Sequence, residues 1–132
     1  MRTINYDFKT QFDKEEYAVA ATDAKGNVIN ANQHFLALTG YTLDELKALA
    51  YQDITAEAWT IYENHMVIRH VFAEGYASFQ KEYVTKSGEI VPVEIELFLL
   101  DEVNNGKLGI WAKVKKIDAL SDEFLAIKAQ SS

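Results

Sequence analysis

The sequence predicts an α+β fold in which two short strands, three helices and three longer strands follow one another along the chain. The first observation behind this prediction is the alternation of apolar and polar residues over 79–84 and 90–98, which is the two-residue period of half-buried strands. The second is the recurrence of apolar residues at every third or fourth position over 55–74, which is typical of an amphipathic helix. A sheet with one apolar face and a helix that covers it is therefore expected.

Composition narrows the classes of function. The 132 residues suit one domain with a single core, and the net charge of −7 argues against binding to nucleic acid or to an anionic membrane. No apolar run reaches roughly 18 residues, so no transmembrane helix is predicted. Because the chain has no cysteine, it has no disulfide, thiolate nucleophile or cysteine metal site. No targeting signal is recognised in the sequence, so a cytoplasmic location is expected.

Residues 1–16 are predicted to form an amphipathic cap helix, because Ile4, Phe8 and Phe12 recur at every fourth position among charged residues. So short a helix is not stable alone and must dock. It can dock as a lid over the second face of the sheet or as a contact in a homodimer. The sequence does not separate these alternatives.

Two short strands are predicted next, over residues 17–22 and 28–29. The residues between them, 23–27, tolerate the left-handed backbone of a tight turn. These two strands are therefore expected to form a hairpin at the start of the domain.

Capping residues mark the ends of two short helices. Asn30 or Asn32 is expected to cap the first helix, and Gly40 ends it because glycine readily takes a positive φ. Thr42 and Glu45 have the spacing of a capping box and open the second helix.

The longest helix is predicted to start at a Thr55 cap, to end before Gly75, and to lie across the sheet. One stripe of this helix should face the apolar side of the sheet. Its expected members are Ile61, His65, Ile68 and Phe72, with Tyr62, Met66 and Arg69 beside them.

The three longer strands supply the apolar face. Pro92 is expected near the start of its strand or at a sheet edge, because it has no N–H to donate. A turn at 86–89 joins the first two strands, and 104–106 is a second hairpin signal. The residues that share a side are, strand by strand, Phe79, Lys81 and Tyr83, then Val93, Ile95 and Leu97, then Ile110, Ala112 and Val114.

The opposite side of these strands is expected to be solvated, with one exception. Glu94 and Glu96 share that side, where paired carboxylates are ordinary surface residues. Trp111 also lies there, and a large apolar side chain on an outer face predicts cover by the N-terminal helix or by a partner.

Residues 118–132 are predicted to form a second amphipathic helix that serves for signalling. Leu120, Phe124 and Ile127 continue from Ile117 the three-four-three spacing of a coiled-coil seam, which suggests a relay or dimer contact. A terminal helix that packs on its own domain explains the same pattern.

Short motifs complete this picture: Asp23–Asn32 with Phe35, Leu38–Tyr41, Asp44–Leu46, Asp53–Thr55, Trp59, Glu82–Tyr83, Lys86–Gly88, Val91–Glu94 and Leu108–Trp111. In this order and spacing the sequence resembles the PAS sensory-domain family over residues 17–117. The resemblance implies a five-stranded antiparallel sheet with helices on one face and a ligand cavity between them. It also implies a sensory or dimerisation module, not itself an enzyme, whose partners are a second copy, a small ligand and a C-terminal output domain. That output is expected to be a histidine kinase, a diguanylate cyclase of the GGDEF type or a transcriptional regulator.

Flavin and haem, two cofactors that members of this family bind, are both disfavoured for this chain. The sequence does not indicate another cofactor. Light-oxygen-voltage flavin photoreceptors need a cysteine for the flavin adduct and amides on the central strands. This chain lacks cysteine and has Tyr83, Val93 and Val114 at the matching positions. Haem-binding members place a histidine on the long helix, where His65 is the candidate, but a locally hydrogen-bonded histidine is the more ordinary interpretation.

A ligand cavity is expected on the inner face of the sheet, although a plain core would have the same composition. Arg69 and His65 are the expected polar contacts, and a small acid would suit Arg69. The candidate wall residues are Phe35, Leu38, Ile54, Tyr62, His65, Arg69, Phe72, Tyr83, Val93, Ile95 and Val114.

No catalytic or metal-binding constellation is found in the sequence. The alternative functions are a small cone-shaped enzyme that resembles the nuclear-transport-factor-like class and a haem-based gas sensor. The enzyme is disfavoured because two short strands come first and because Glu63, the acid nearest His65 in sequence, lies on another face of the helix.

Overall fold

The computed structural model describes Phe12, residues 16–104 and residues 107–130, with the backbone alone at 101–104. Its strands are β1 (Ala18–Asp23), β2 (Val28–Ala31), β3 (Tyr76–Val84), β4 (Ile90–Asn104) and β5 (Lys107–Lys116). They form one antiparallel sheet in the spatial order β2-β1-β5-β4-β3. The predicted α+β class and five-stranded antiparallel sheet are confirmed.

The helices are α1 (Gln33–Thr39), α2 (Leu43–Lys47), α3 (residues 57–74) and α4 (Asp122–Gln130), with a short 3₁₀ turn at Tyr51–Ile54. The first three helices cover one face of the sheet, which is called the inner face below. Among the described residues, no helix has the length and hydropathy needed to span a bilayer. The predicted N-terminal helix, with Ile4 and Phe8, lies outside the described residues apart from Phe12 and Glu16.

The inner face of the sheet carries the main core. Val93, Ile95 and Leu97 of β4 are buried, as predicted, and Ile95 pairs across the sheet with Val114 of β5. Pro92 is the third residue of β4, near its start as expected, and its carbonyl accepts a hydrogen bond of 3.1 Å from the Ile117 N–H. The two-residue alternation therefore identified the face that meets the helices.

The outer face of the sheet carries a second, smaller apolar cluster. Trp111 is 3% exposed there and belongs to a cluster with Phe12, Val19, Ala21 and Leu100. Phe12 comes from the N-terminal segment, so this segment supplies part of the cover that the sequence led us to expect over Trp111.

The predicted caps of the short helices are present. Asn32, rather than Asn30, caps α1 by accepting from the Phe35 N–H at 3.0 Å, and it also accepts from the Val19 N–H of β1. Gly40 ends α1 with a φ of 79°. Thr42 and Glu45 form the capping box of α2.

Helix α3 changes its hydrogen-bond register within its length. It is a 3₁₀ helix over Glu57–Trp59, an α-helix over Thr60–Tyr62, a π-helix over Glu63–Val67 and an α-helix again over Ile68–Glu74. Gly75 ends it with a φ of 84°, as predicted. Single π turns within α-helices are uncommon and occur frequently at functional sites.

The predicted core-facing stripe of α3 is wrong in its first half. Ile61 is 70% exposed and His65 is exposed, whereas Glu63, Val67 and Val71 are buried. A π turn holds more residues than an α turn, so the face that meets the sheet follows a spacing of four residues instead of 3.6. Beyond the π turn, the predicted Ile68 and Phe72 do pack against the core.

Candidate functional site

A cavity of about 90 Å³ lies between the inner face of the sheet and α3. It has room for a few water molecules or for one small organic molecule. Its polar lining includes Glu63 of α3, Lys81 of β3 and the two tyrosines Tyr51 and Tyr83. Its apolar lining includes Phe35, Ile54, Ile68, Ile95, Leu97 and Ile110.

The β1–β2 turn forms one side of the cavity. Gly26 has a φ of 93°, and a Cβ atom added there would lie 2.6 Å from the Cε1 atom of Tyr51. Glycine therefore allows the turn to approach the Tyr51 ring. On its other side, the Tyr51 hydroxyl donates a hydrogen bond to the Asn64 side chain of α3.

An ion pair is buried in the cavity wall. The Lys81 Nζ atom lies 2.7 Å and 2.8 Å from the two carboxylate oxygens of Glu63, and Lys81 is 1% exposed and Glu63 3% exposed. Lys81 also donates to the Thr55 hydroxyl at 2.8 Å. Thr55 in turn donates to the Tyr51 carbonyl at 2.7 Å. It does not cap α3 as predicted, because the N-cap position is Ala56 and no side chain makes a capping hydrogen bond there.

The sequence places these charges inside through ordinary local structure. Lys81 lies between Phe79 and Tyr83 on the inner side of β3, because alternate residues of a strand share a face. Glu63 opens the π turn of α3 and lies one helical turn after the buried Trp59. The ammonium of Lys81 lies over the rings of three aromatic residues, at 4.9 Å from Tyr83, 5.5 Å from Tyr51 and 5.7 Å from Phe79.

Burial controls the electrostatics of this site. It raises the pKa of the Glu63 carboxyl against the attraction of Lys81, and it lowers the pKa of the Lys81 ammonium against the attraction of Glu63. Burial and the nearby Glu63 charge also raise the pKa of Tyr51 to about 12 and raise that of Tyr83. Each charge of the pair is thus compensated by its partner, and a change to one affects the other.

A second polar contact lies next to this ion pair, on the same two elements. Glu82 follows Lys81 on β3, and its Oε1 atom accepts from the Trp59 Nε1 atom of α3 at 3.0 Å. The same Oε1 atom lies 2.8 Å from the Lys128 Nζ atom of α4. Glu82 therefore joins β3, the first turn of α3 and the C-terminal helix.

Helix α4 packs on its own domain at this point. The Phe124 ring lies 6.4 Å from the rings of both Trp59 and Tyr62. Leu120 is buried in the same cluster, and Ile127 packs against it. Of the two interpretations of the C-terminal pattern, a terminal helix that packs on its own domain is the one observed. The helix begins at Asp122, four residues later than predicted.

A family model described as PAS domain matches residues 15–112. The chain belongs to the PAS domain family. This match covers β1 to β4, the first part of β5, α1 to α3 and every residue of the cavity, and the PAS fold is that of a sensory module and not that of an enzyme. The alternative prediction of a cone-shaped enzyme is therefore wrong.

Known relatives agree with this assignment. Sporulation kinase C of Bacillus subtilis is 28% identical over 123 residues, which are 87% of this chain and 27% of that protein. A PAS domain from Colwellia psychrerythraea has a TM-score of 0.73 at 21% identity, covering 83% of this chain and 92% of that one. A domain of a sensory box sensor histidine kinase/response regulator from Geobacter sulfurreducens has a TM-score of 0.67 at 17% identity, covering 82% and 90%. The chain is thus a PAS sensory domain of the kind found in signal-transduction proteins such as histidine kinases.

The PAS cavity includes only part of the predicted wall. Phe35, Ile54, Tyr83 and Ile95 line it. The other apolar candidates lie elsewhere: Val93, Val114, Leu38 and Phe72 pack in the surrounding core, and Tyr62 lies against α4.

The predicted polar contacts require correction. His65 and Arg69 are exposed and do not line the cavity, because the π turn rotates them away from the sheet. A small acid held by Arg69 is therefore not supported, and the candidate haem ligand His65 lies on the surface. Among the described residues, no group of three or more histidine, aspartate or glutamate side chains is placed to hold a metal ion.

The sequence analysis missed four polar residues of the site: Tyr51, Thr55, Glu63 and Lys81. One signal was available, because Lys81 shares a strand side with Phe79 and Tyr83 in the amino-acid pattern. A charged residue between two aromatic residues on a buried side needs a buried partner. No comparable signal in the sequence points to Glu63, because a π turn cannot be recognised from hydrophobic periodicity.

Proposed function

We propose that this PAS domain is the sensory module of a cytoplasmic signal-transduction protein, that it binds a small ligand in the cavity, and that it relays binding through α4. The observation that carries the proposal is that two polar contacts join the same two elements through consecutive residues of β3. The Glu63–Lys81 pair in the cavity and the Trp59–Glu82–Lys128 contact at α4 both join α3 to β3.

The path from the cavity to α4 is short. Lys81 and Glu82 are consecutive on β3, and Trp59 and Glu63 lie one turn apart on α3. A ligand that shifts the ion pair therefore moves the start of α3 relative to β3, and the contacts of α4 with Trp59 and Glu82 follow. A backbone hydrogen bond of 2.9 Å from the Ala56 N–H to the Glu82 carbonyl adds a further link between the same elements.

An output domain after α4 is part of this proposal. Similarity to Sporulation kinase C supports a kinase output, while a diguanylate cyclase or a transcriptional regulator rests on the family resemblance alone. The predicted homodimer is also retained as a proposal. Leu120, Phe124 and Ile127, the residues predicted for a dimer or relay contact, pack against Trp59 and its neighbours within the domain, and the partly exposed sides of Phe124 and Ile127 are the part of this seam that a second copy could contact.

The relay is tested by amide hydrogen exchange of the Glu63→Gln variant. This change removes the charge and retains the shape of the side chain, but it keeps only one of the two oxygens that accept from Lys81. We expect residues 122–130 to exchange several-fold faster, because the altered ion pair loosens the attachment of α3 to β3. Amides of β4 and β5 serve as an internal control for global unfolding and should keep their protection.

Glu94→Gln is the matched control, since it makes the same chemical change at an exposed position of β4. It should leave exchange in α4 unchanged. Unaltered exchange over residues 122–130 in Glu63→Gln, together with a demonstrably altered cavity, would refute the relay.

A further inference from the structure

From the chemistry of the cavity wall we infer its ligand class: a small uncharged oxygen compound, such as a short-chain alcohol, ketone or ester, whose oxygen contacts Lys81 and Tyr83. This inference rests on the proposed sensory function and adds the identity of the signal. It follows from three features of the wall, namely an ammonium that gives two of its three hydrogen bonds to one carboxylate, a phenol without a hydrogen bond to the described residues, and a pair of charges that cancel.

The first feature is the ammonium of Lys81. An ammonium has three donors. Two of its hydrogen bonds, at 2.7 Å and 2.8 Å, go to the two oxygens of the Glu63 carboxylate, and the third goes to Thr55 at 2.8 Å. One carboxylate therefore takes two of the three donors, and a ligand oxygen in the cavity can accept one of them while Glu63 keeps the other.

The second feature is the hydroxyl of Tyr83. This residue is buried and lines the cavity, with its ring in edge contact with Phe35 at 5.8 Å. Among the described residues its hydroxyl makes no hydrogen bond. A buried phenol normally has a partner, so an oxygen atom supplied from the cavity would satisfy it together with Lys81.

The third feature is the charge balance. Glu63 and Lys81 neutralise each other, and among the described residues no other charged side chain shares the buried wall, since Lys25 is exposed at the β1–β2 turn. A carboxylate ligand near Lys81 would lie beside the Glu63 carboxylate in a medium of low dielectric constant, where like charges repel strongly. An ammonium ligand would meet the same obstacle at Lys81. An uncharged oxygen avoids both.

The rest of the cavity suits a short hydrocarbon chain. Ile68, Ile95, Leu97, Ile110 and Ala112 line it, and the volume of about 90 Å³ limits the size of the molecule. A ligand with an oxygen atom at one end and a few carbon atoms at the other would place its oxygen at the polar wall and its carbon atoms at the apolar wall.

Four compounds with four carbon atoms each test the inference: the uncharged butan-2-one and butan-1-ol, the anion butyrate and the cation butylammonium. Methyl resonances of Ile95 and Ile110 report entry into the cavity. We expect both neutral compounds to shift these resonances and to bind at least about tenfold more tightly than the two ions. Butyrate or butylammonium binding as tightly as the alcohol would overturn the ligand class. Absence of neutral binding at about 50 mM would overturn it as well.

Three variants locate the recognition. The double variant Glu63→Leu/Lys81→Met replaces the ion pair by apolar side chains, and Tyr83→Phe removes only the hydroxyl. Each should weaken binding of butan-2-one, the double variant by at least about tenfold. Lys115→Met, at an exposed position of β5, is the matched control and should bind normally. Unchanged affinity in both the double variant and Tyr83→Phe would contradict the inference.

Failure of the ligand class and failure of the sensory function give different results. If a charged compound enters the cavity and changes exchange in α4, the class is wrong and the relay stands. If butan-2-one binds as expected and exchange in α4 stays the same, the class is right and the relay is wrong.

Discussion

At the scale of single residues, the buried ion pair is the least expected feature of this domain. Transfer of an ammonium and a carboxylate from water to an apolar wall costs several kcal/mol per ion, which their mutual attraction and added hydrogen bonds only partly offset. Lys81 and Glu63 are thus poor choices for stability alone. Their position at a cavity agrees with a role in ligand recognition.

The first prediction concerns this pair. Lys81→Met should lower the free energy of unfolding by about 3–5 kcal/mol, because it leaves the Glu63 carboxylate buried without a counter-charge. The double variant Glu63→Leu/Lys81→Met should match or exceed the wild-type value, by up to about 4 kcal/mol, because it removes both desolvation penalties. Urea unfolding measures both values. A double variant less stable than Lys81→Met would contradict the burial of the pair.

The second prediction concerns Asp23 at the β1–β2 turn. Burial opposes its ionisation, but hydrogen bonds from the Asn27 side chain and from the N–H groups of Asn27 and Lys25 outweigh it and lower the pKa of its carboxyl. A lowered pKa in the folded state gives stability that is present above the unfolded pKa. This stability is lost as the pH falls through the folded value.

Asp23→Ala should therefore lower the free energy of unfolding by about 1 kcal/mol at neutral pH, with a smaller difference near pH 3. Urea unfolding at the two pH values measures the change. Asp118→Ala, which removes an exposed carboxylate outside the turn, serves as the control. An Asp23→Ala penalty that grows as the pH falls would show that the turn does not stabilise the ionised carboxylate.

At the scale of elements, the buried sides of the strands were predictable, whereas the buried face of the first half of the long helix was not. Side chains alternate between the two faces of a strand, so the apolar pattern of β3, β4 and β5 allows only one assignment of buried and exposed residues for each strand. The buried face of α3 depends on the number of residues in each turn. The π turn at Glu63–Val67 changes that number, and it turned His65 and Arg69 outward and Glu63 inward.

The helix ends were predicted well because each depends on one or two residues. Asn32, Gly40, the Thr42–Glu45 box and Gly75 act locally, so no tertiary information is needed to find them. There were two exceptions. The start of α4 lies four residues later than predicted. The Thr55 hydroxyl makes contacts within the site instead of capping α3, and one of them is with the buried Lys81 ammonium.

The third prediction concerns the docking of α4. Phe124→Ala should detach this helix at a cost of about 1–2 kcal/mol, because the half-buried ring packs on Trp59 and Tyr62. In a Trp111→Phe background Trp59 is the only indole, and its emission should shift to longer wavelength. Leu125→Ala, at an exposed position of the same helix, should have little effect. Equal shifts in the two variants would argue against docking through Phe124.

At the scale of the whole molecule, the inner face of the sheet is covered by helices, and part of the outer face is buried in a second apolar cluster. The inner face is covered by α1, α2 and α3, and the outer face holds the cluster around Trp111 to which Phe12 belongs. Composition and element order were sufficient for the fold class. The cavity could not be derived in the same way, because a cavity and a filled core have the same residue types and differ only in how the side chains pack.

The last prediction tests the cover of the outer face. Phe12→Ala should lower the free energy of unfolding by about 3 kcal/mol, because it removes a buried ring from the cluster with Trp111 and Leu100. In a Trp59→Phe background Trp111 is the only indole, and its emission should move to longer wavelength as water reaches it. Ile90→Ala, which shortens an exposed apolar side chain, is the control. If Phe12→Ala leaves both stability and Trp111 emission unchanged, a partner must supply the cover, and the outer face of this sheet becomes the place to look for the homodimer.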